Sequence, residues 1–170
     1  MTDIQVFADR RLLFAGRSYR CAIGRGGIRR DKTEGDGATP VGVFSLRRVL
    51  YRADRIDAPV TRLPTEAIAE DDGWCDAPGD ANYNRPVKRP YPAHHERMWR
   101  NDGLYDLVVI LGHNDDPPVP GAGSAIFLHV ARPDYAPTEG CVALQRADLL
   151  RVLGACGPDS RLRVHPPADG

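Results

Sequence analysis

The sequence predicts a single domain of mainly β structure, a β-sandwich or twisted mixed sheet with one or two short helices and a long insert. Its 170 residues are the size of one domain, and a hydrophobic content of 42% is enough for one core. The apolar residues recur in short runs of strand formers separated by glycine, proline and aspartate, which is typical of β structure. Residues 51–103 lack this periodicity, which indicates an insert within the domain 1–170.

The charge balance argues against several classes of protein. The chain has 23 basic and 23 acidic residues, whereas a binder of nucleic acid or of anionic membranes is expected to carry a basic excess. No apolar run approaches the roughly 18 residues of a membrane span. The first residues, MTDIQVFADRR, lack the basic and apolar regions of a signal peptide. We therefore expect no nucleic-acid partner and no membrane span.

The first part of the chain predicts short strands joined by loops. Residues 4–7 and 11–14 suggest a hairpin, and residues 18–23 add a third strand. The glycine-rich, charged segment 24–37 is expected to be a loop. The next strand begins at residues 39–40, because proline suits the first positions of a strand.

Residues 51–103 are predicted to form an ordered insert or lid beside the cleft. The segment contains many prolines, but tryptophan and tyrosine side chains are spread along it and favour burial over disorder. Within the run AHHERMW, residues 94–100 suggest a short helix. His95 and Glu96 are candidates for contact with a substrate.

The histidines and cysteines fit no metal-binding pattern. His95 and Cys75 belong to neither a CxxC nor an HExxH motif, so no metal and no other cofactor is predicted. Cys21 and Cys156 are expected to fill core space as small apolar residues. Cys75 has no evident role, and a disulfide is the alternative.

A central strand is predicted over residues 104–111, because LYDLVVIL is continuously apolar. His113 and Asn114 follow it. If this strand pairs with the segment 124–130, the two side chains lie near the cleft and support the site. The alternative is turn chemistry over residues 114–118.

Residues 124–144 bring a histidine and a cysteine together. A strand over 124–130 carries His129 near its end, a loop follows, and Gly140 precedes Cys141. A cysteine thiolate attacks carbonyl groups, and a nearby imidazole takes up its proton. The amides of Gly140 and Cys141 are expected to face the developing oxyanion. The pattern therefore predicts cysteine-dependent acyl transfer.

The remaining chain predicts one helix and one strand. Residues 146–153 carry apolar side chains at helical spacing, and Gly154 follows as a stop. Residues 161–164 form a last short strand, and residues 166–170 a tail.

These residues resemble the signature of the L,D-transpeptidase catalytic domain family (YkuD type), in which a histidine is followed by a Ser/Thr-His-Gly-Cys box. His129 matches the catalytic histidine, Thr138 the hydroxyl residue, Gly140 the box glycine and Cys141 the nucleophile. Upstream, DGATPVGVF (residues 36–44) is similar to the Thr-Pro-x-Gly-x-Phe stretch of such domains.

The chain looks like a divergent branch of that family. Glu139 stands in the place of the second histidine of the box. Ala143 and Leu144 replace the asparagine- or arginine-containing residues that usually follow the cysteine. The nucleophile, the base and the glycine are retained, so the resemblance implies the same class of reaction.

The resemblance implies a transpeptidase that acts on diaminopimelate-containing peptidoglycan stem peptides and uses no cofactor. Cys141 would form a thioester, an amine of a second stem would resolve it into a cross-link, and carbapenems would acylate the same thiol. The backbone carbonyl near Val130 would orient His129. Arg132 is a candidate to bind a substrate carboxylate. Glu139 is a candidate to hydrogen-bond within the loop or to bind a substrate ammonium group.

Three other functions stay open at this stage. Water in place of the amine would make the same site an L,D-carboxypeptidase or endopeptidase. A peptidoglycan-binding module without catalysis is the second alternative, and a metal-dependent hydrolase using His113, His129 and Cys141 is the third.

The location and the oligomeric state are not fixed by the sequence. A cell-wall substrate implies a periplasmic or cell-wall location. The lack of a visible signal peptide leaves a cytoplasmic location open.

Overall fold

The computed structural model describes residues 3–168 and is mainly β, as the sequence predicts. Residues 1–2 and the last two residues of the predicted tail, 169–170, lie outside the described residues. The strands, numbered in chain order, are β1 (Ile4–Val6), β2 (Arg11–Phe14), β3 (Arg17–Arg20), β4 (Ile28–Arg29), β5 (Thr39–Pro40), β6 (Gly42–Tyr51), β7 (Thr65–Ala67), β8 (Asp72–Cys75), β9 (Pro86–Lys88), β10 (His95–Arg97), β11 (Leu107–Leu111), β12 (Phe127–Val130), β13 (Val142–Leu144) and β14 (Arg161–Val164). One helix, α1 (Arg146–Gly154), occurs within residues 3–168. This part of the chain contains no helix long and apolar enough to cross a membrane.

One large mixed sheet dominates the fold. Its strands follow the order β13-β12-β11-β6-β14-β1-β2-β3, and β7 pairs with β6 beside this path. Parallel pairing joins β12 to β13, β1 to β14 and β6 to β7, and the other neighbours in this sheet are antiparallel. Strands β8, β9 and β10 form a separate three-stranded sheet. The predicted fold class is confirmed.

The central strand β11 is buried on both faces, which explains its continuous apolar sequence. Leu107, Val109 and Leu111 point into one hydrophobic cluster, and Val108 and Ile110 point into another, as the two-residue period of a strand requires. The first cluster includes the buried face of α1. The second includes aromatic and methionine side chains of the insert. The insert therefore covers one face of the sheet near β12.

The pairing of β11 with β12 fixes the position of His129. The two strands are antiparallel, with Val108 opposite His129, so the predicted pairing is confirmed. Strand β13 lies parallel to β12 on its other side and places Ala143 opposite His129. Cys141 immediately precedes β13 and therefore lies beside Phe127 at the start of β12, two residues before His129.

The predicted helix over residues 94–100 is wrong. His95–Arg97 forms the strand β10, which pairs antiparallel with β8 and places Glu96 opposite Trp74. Trp74 and Met98 are buried in the core, so tertiary packing decides the conformation of a segment with weak intrinsic preference. All four cysteines are free, which removes the disulfide alternative for Cys75.

Candidate active site

A cavity of about 480 Å³ lies beside the end of β12, and both His129 and Cys141 line it. Its walls come from the loop before β5, from the insert and from the loop before Cys141. The cavity carries charges of both signs. The charged lining residues are Lys32, Glu34, Asp76, Glu96, Arg100, Arg132 and Glu139.

His129 is held in one tautomer by the backbone. Its Nδ1 atom lies 2.9 Å from the carbonyl oxygen of Val130. Because a carbonyl only accepts hydrogen bonds, Nδ1 carries the hydrogen and Nε2 of the neutral ring is the proton acceptor. Burial lowers the pKa of His129 to about 4, so the ring is neutral near pH 7. The ring also packs edge-on against Tyr105, with centroids 5.3 Å apart.

Cys141 is buried, and its sulfur is held at the entry to β12. The amide of Phe127 donates to Sγ at 3.3 Å, and the thiol donates to the carbonyl of Ala125 at 3.2 Å. Within residues 3–168, no hydrogen bond joins Sγ to the ring of His129. Burial, followed by the nearby charge of Glu96, raises the pKa of the Cys141 thiol to about 12. In this resting state the thiol and the imidazole are both neutral.

Thr138 closes the loop that carries Cys141. Its hydroxyl donates to the carbonyl of Cys141 at 2.6 Å and accepts the amide of Gly140 at 3.1 Å. The Gly140 amide is therefore engaged within the loop, contrary to the expectation that it faces an oxyanion. Gly140 itself has a φ of +139°, and a Cβ atom there would lie 2.8 Å from the carbonyl oxygen of Ala38.

Thr39 ties this loop to the N-terminal part of the chain. Its hydroxyl accepts the amide of Gly24 at 2.9 Å and donates to the carbonyl of Gly140 at 2.8 Å. The side chain is fully buried. From the sequence, the Thr-Pro pair predicts only the start of a strand and not this role of Thr39. The resemblance of residues 36–44 to a family motif was the available signal.

Residues before Thr39 form one wall of the cavity. Lys32 and Asp36 make an ion pair of 2.6 Å in which both side chains are largely buried. Burial opposes ionisation of Asp36, yet hydrogen bonds from Lys32 and from two backbone amides lower its pKa to about 2. Glu34 accepts hydrogen bonds from the hydroxyls of Tyr83 and Ser124, at 2.7 and 2.6 Å. The wall is thus built from rigidly held charges.

Asn84 joins the insert to the strands of the site. Its side-chain oxygen accepts from the indole of Trp74 at 2.9 Å and from the amide of Ala125 at 3.0 Å. Its nitrogen donates to the carbonyls of His113 and Asn114 at 3.0 and 2.7 Å. Because Ala125 holds the Cys141 thiol, Asn84 positions the sulfur indirectly. The sequence contained no specific signal for this role.

Tyr105 and Arg100 also line the cavity, although the sequence does not predict them as site residues. The hydroxyl of Tyr105 donates a hydrogen bond to the carboxylate of Glu96. Arg100 pairs with Asp102 and lies over the ring of Tyr105 at 5.0 Å. Burial raises the pKa of Glu96, and Arg100 opposes this shift.

Of the supporting candidates, Thr138, Arg132 and Glu139 line the cavity. Arg132 lies 4.0 Å from Asp102, a loose contact that leaves its guanidinium available. Glu139 forms an ion pair of 2.9 Å with Arg25, and both side chains are exposed to solvent. The hydrogen bond within the loop that was expected of Glu139 is made by Thr138.

His95, His113 and Asn114 do not line this cavity. The Nε2 atom of His95 accepts a hydrogen bond from Arg89 at 3.0 Å. Its Nδ1 atom lies 2.8 Å from the carbonyl oxygen of Ala93. The ring of His113 packs edge-on against Phe44, with centroids 5.5 Å apart. Asn114 makes the turn, bonding the backbone of Val119 and Gly123. Turn chemistry, the alternative for Asn114, describes its position.

Within residues 3–168 there is no group of three or more histidine, cysteine, aspartate or glutamate side chains arranged to hold a metal ion. The two histidine rings have different neighbours. The ring of His113 packs against Phe44, and that of His129 packs against Tyr105. His113, His129 and Cys141 therefore form no such group.

A sheet that places a neutral histidine and a free cysteine on one cavity is an arrangement suited to acyl transfer by a cysteine. The model of the L,D-transpeptidase catalytic domain (YkuD) matches residues 4–164. The chain belongs to this family.

Other comparisons add little beyond the family. No curated protein matches the chain. Among solved structures, the chain is similar to the helical cell shape determining protein Pgp2 from Campylobacter jejuni, with 12% identity and a TM-score of 0.47. A point mutant of Pgp2 gives 13% identity and a TM-score of 0.48. Each match covers 99% of this chain and 48% of the other, so the chain spans about half the length of those proteins.

Proposed function

We propose that the protein is a cysteine-dependent L,D-transpeptidase that acts on peptidoglycan stem peptides through a thioester. The observation that carries the proposal is the placement of Cys141 and His129 on one cavity in a chain of this family. The tautomer of His129 supports it, because Nε2 is free to take a proton from the thiol. Such an enzyme would work in the periplasm or the cell wall.

In the first half-reaction, Sγ of Cys141 attacks the carbonyl carbon of the scissile amide while the thiol proton passes to Nε2 of His129. The carbonyl of Val130 then holds the imidazolium through Nδ1–H. The imidazolium returns the proton to the leaving amine, and a thioester remains on Cys141. The Cys141 amide would face the oxyanion, since the Gly140 amide is engaged by Thr138.

In the second half-reaction, an amine of another stem attacks the thioester. The C–N bond forms, the C–S bond breaks, and the proton released by the amine passes through His129 to the departing thiolate. A new peptide cross-link results and the thiol is restored.

The charges of the cavity suit a zwitterionic peptide. Diaminopimelate carries both a carboxylate and an ammonium group at its free end. Arg132 is held only loosely by Asp102 and would bind the carboxylate. Acidic side chains of the same cavity would bind the ammonium group.

Two alternatives use the same cavity. Attack of water on the thioester would give an L,D-carboxypeptidase or endopeptidase. A non-catalytic binding module is favoured by the buried, neutral thiol of Cys141, whose hydrogen points to Ala125 and not to His129.

Intact-protein mass spectrometry distinguishes these functions. The protein is incubated with a carbapenem and, separately, with purified muropeptides, and is compared with Cys141→Ala and His129→Ala. Acylation and new dimeric muropeptides that vanish in Cys141→Ala support the transpeptidase. Shortened muropeptides without dimers indicate hydrolysis. If the chain gains no adduct and changes no muropeptide, the enzyme proposals fail, and binding of muropeptides is then measured to test the binding module.

A further inference from the structure

Glu96 is a carboxylate beside the nucleophile that has no counter-ion. It lies on β10 of the insert and lines the cavity with His129 and Cys141. Its hydrogen bond comes from the neutral hydroxyl of Tyr105. No ion pair to Glu96 occurs within the described residues, and a carboxylate removed from water without a cation is costly.

The nearby charges do not compensate Glu96. Arg100 lowers the pKa of Glu96, but its guanidinium makes hydrogen bonds to Asp102. Glu34 and Asp76 line the same cavity and add negative charge around it. This part of the cavity therefore has a deficit of positive charge that a ligand can fill.

We propose that Glu96 is a specificity-determining residue, which binds the ammonium group of a zwitterionic stem peptide next to Cys141. The substrate class rests on the proposed function. The ammonium group supplies the missing counter-ion and makes a charge-assisted hydrogen bond with the carboxylate. The Tyr105 hydroxyl fixes the orientation of the carboxylate, and the insert thereby contributes directly to recognition.

The same contact activates the nucleophile. The charge of Glu96 is, after burial, the main cause of the raised pKa of the Cys141 thiol, whereas Lys32 and Arg100 act in the opposite direction. A bound ammonium group neutralises Glu96 and removes that contribution. Recognition of the correct substrate then eases removal of the thiol proton by His129.

Binding is measured by calorimetry in the Cys141→Ala background, so that no reaction follows. The probes are a stem tetrapeptide containing diaminopimelate and the same peptide with its side-chain amine acetylated. We expect Kd to rise about tenfold on acetylation, in line with the loss of one charge-assisted hydrogen bond. This comparison needs no substitution of Glu96 and so does not depend on the folding of a variant.

The Glu96→Gln substitution then identifies the partner of the amine. It should weaken binding of the free-amine peptide about tenfold and leave the acetylated peptide within about twofold. Glu70→Gln is the matched control, since Glu70 is an exposed carboxylate of the same insert. Equal losses with both peptides would mean a structural role for Glu96 and would overturn the proposal, as would failure of the free-amine peptide to bind at millimolar concentration.

A second readout concerns Cys141 itself. In the otherwise unmodified protein, Glu96→Gln should lower the pKa of the Cys141 thiol and speed its alkylation by iodoacetamide at pH 8 several-fold, while Glu70→Gln should not. An unchanged rate in Glu96→Gln contradicts the coupling. If binding depends on Glu96 and on the amine but no acyl-enzyme ever forms, the transpeptidase proposal fails and the recognition by Glu96 stands.

Discussion

The hydroxyl of Thr39 donates a hydrogen bond of 2.8 Å to the carbonyl of Gly140, although 101 residues separate them in the sequence. The same hydroxyl accepts the amide of Gly24 at 2.9 Å. Both bonds are buried, so neither is replaced by water when it is lost. The conformation of the loop that carries Cys141 therefore depends on the N-terminal part of the chain.

Replacement of Thr39 by valine should destabilise the fold and slow acylation. Thr39→Val keeps the shape of the side chain but leaves the Gly24 amide and the Gly140 carbonyl without a partner. We expect the free energy of unfolding to fall by about 2 kcal/mol. Urea denaturation measures this loss. Thr65→Val is the control, because Thr65 is exposed and its hydroxyl makes one hydrogen bond, to the carbonyl of Leu63. An equal loss of stability in Thr65→Val would contradict a special role of the two buried bonds of Thr39.

Gly140 should tolerate no side chain. Its φ of +139° disfavours any residue with a Cβ, and that atom would meet the carbonyl of Ala38 at 2.8 Å. The conformational strain alone costs about 2 kcal/mol. We expect Gly140→Ala to lower the thermal midpoint and to reduce the rate of carbapenem acylation at least tenfold. Gly79→Ala, where no atom lies within 4 Å of the added Cβ, should change neither quantity.

The hydrogen bond between Thr39 and Gly140 illustrates the limit of structure prediction from sequence patterns. Apolar runs identified β11, β12 and α1, because strand and helix periodicity are local properties. The bond between two motifs that lie so far apart depends on the order of strands in the sheet, which periodicity does not specify. In the sequence, the family resemblance of both motifs is the one sign that they meet.

The insert shows that local sequence preference also fails to predict secondary structure where tertiary packing decides it. Its aromatic residues predicted burial, and Trp74 is indeed buried. The segment around His95 lacks strong β formers, so a helix was predicted where β10 occurs. Pairing with β8 and burial of Met98 override that weak local preference. For the same reason Glu96, and not His95, lines the cavity.

The reactivity of Cys141 should show that the thiol is neutral at rest. Its pKa of about 12 implies that alkylation by iodoacetamide, which requires the thiolate, rises about tenfold per pH unit from pH 7 to pH 10 without a plateau. Alkylation is measured by mass spectrometry against Cys141→Ala, because three other cysteines are present. A plateau near neutral pH would instead indicate a preformed thiolate and imidazolium pair.

Carbapenem acylation should follow a different pH dependence from alkylation. In the proposed mechanism acylation uses His129 as the base, and the neutral ring persists down to its pKa of about 4. The acylation rate should therefore stay nearly constant from pH 8 to pH 6 and decline toward pH 4. A rate that falls steeply between pH 7 and pH 6 would contradict the lowered pKa of His129.

Acid should destabilise the protein between about pH 6.5 and pH 4. Burial lowers the pKa of both His129 and His113 to about 4, whereas an unfolded chain has a histidine pKa near 6.5. In this interval the unfolded state binds more protons, so the free energy of unfolding falls as the pH falls, by up to about 3 kcal/mol for the buried His129 and by less for the partly exposed His113. Urea denaturation at several pH values measures the slope.

Two histidine substitutions distinguish the effect of the lowered histidine pKa values from general acid denaturation. One replaces His113, whose pKa is lowered, and the other replaces His94, whose pKa is raised. His113→Leu removes one of the two histidines with a lowered pKa and should flatten the slope, because the unfolded chain then takes up one proton fewer. His94 is exposed and pairs with Asp76, which raises its pKa, so it favours the folded state at low pH. His94→Gln should therefore leave the acid loss at least as steep. A slope that is the same in the original chain and in His113→Leu would show that burial of neutral histidines does not set the acid limit of this fold.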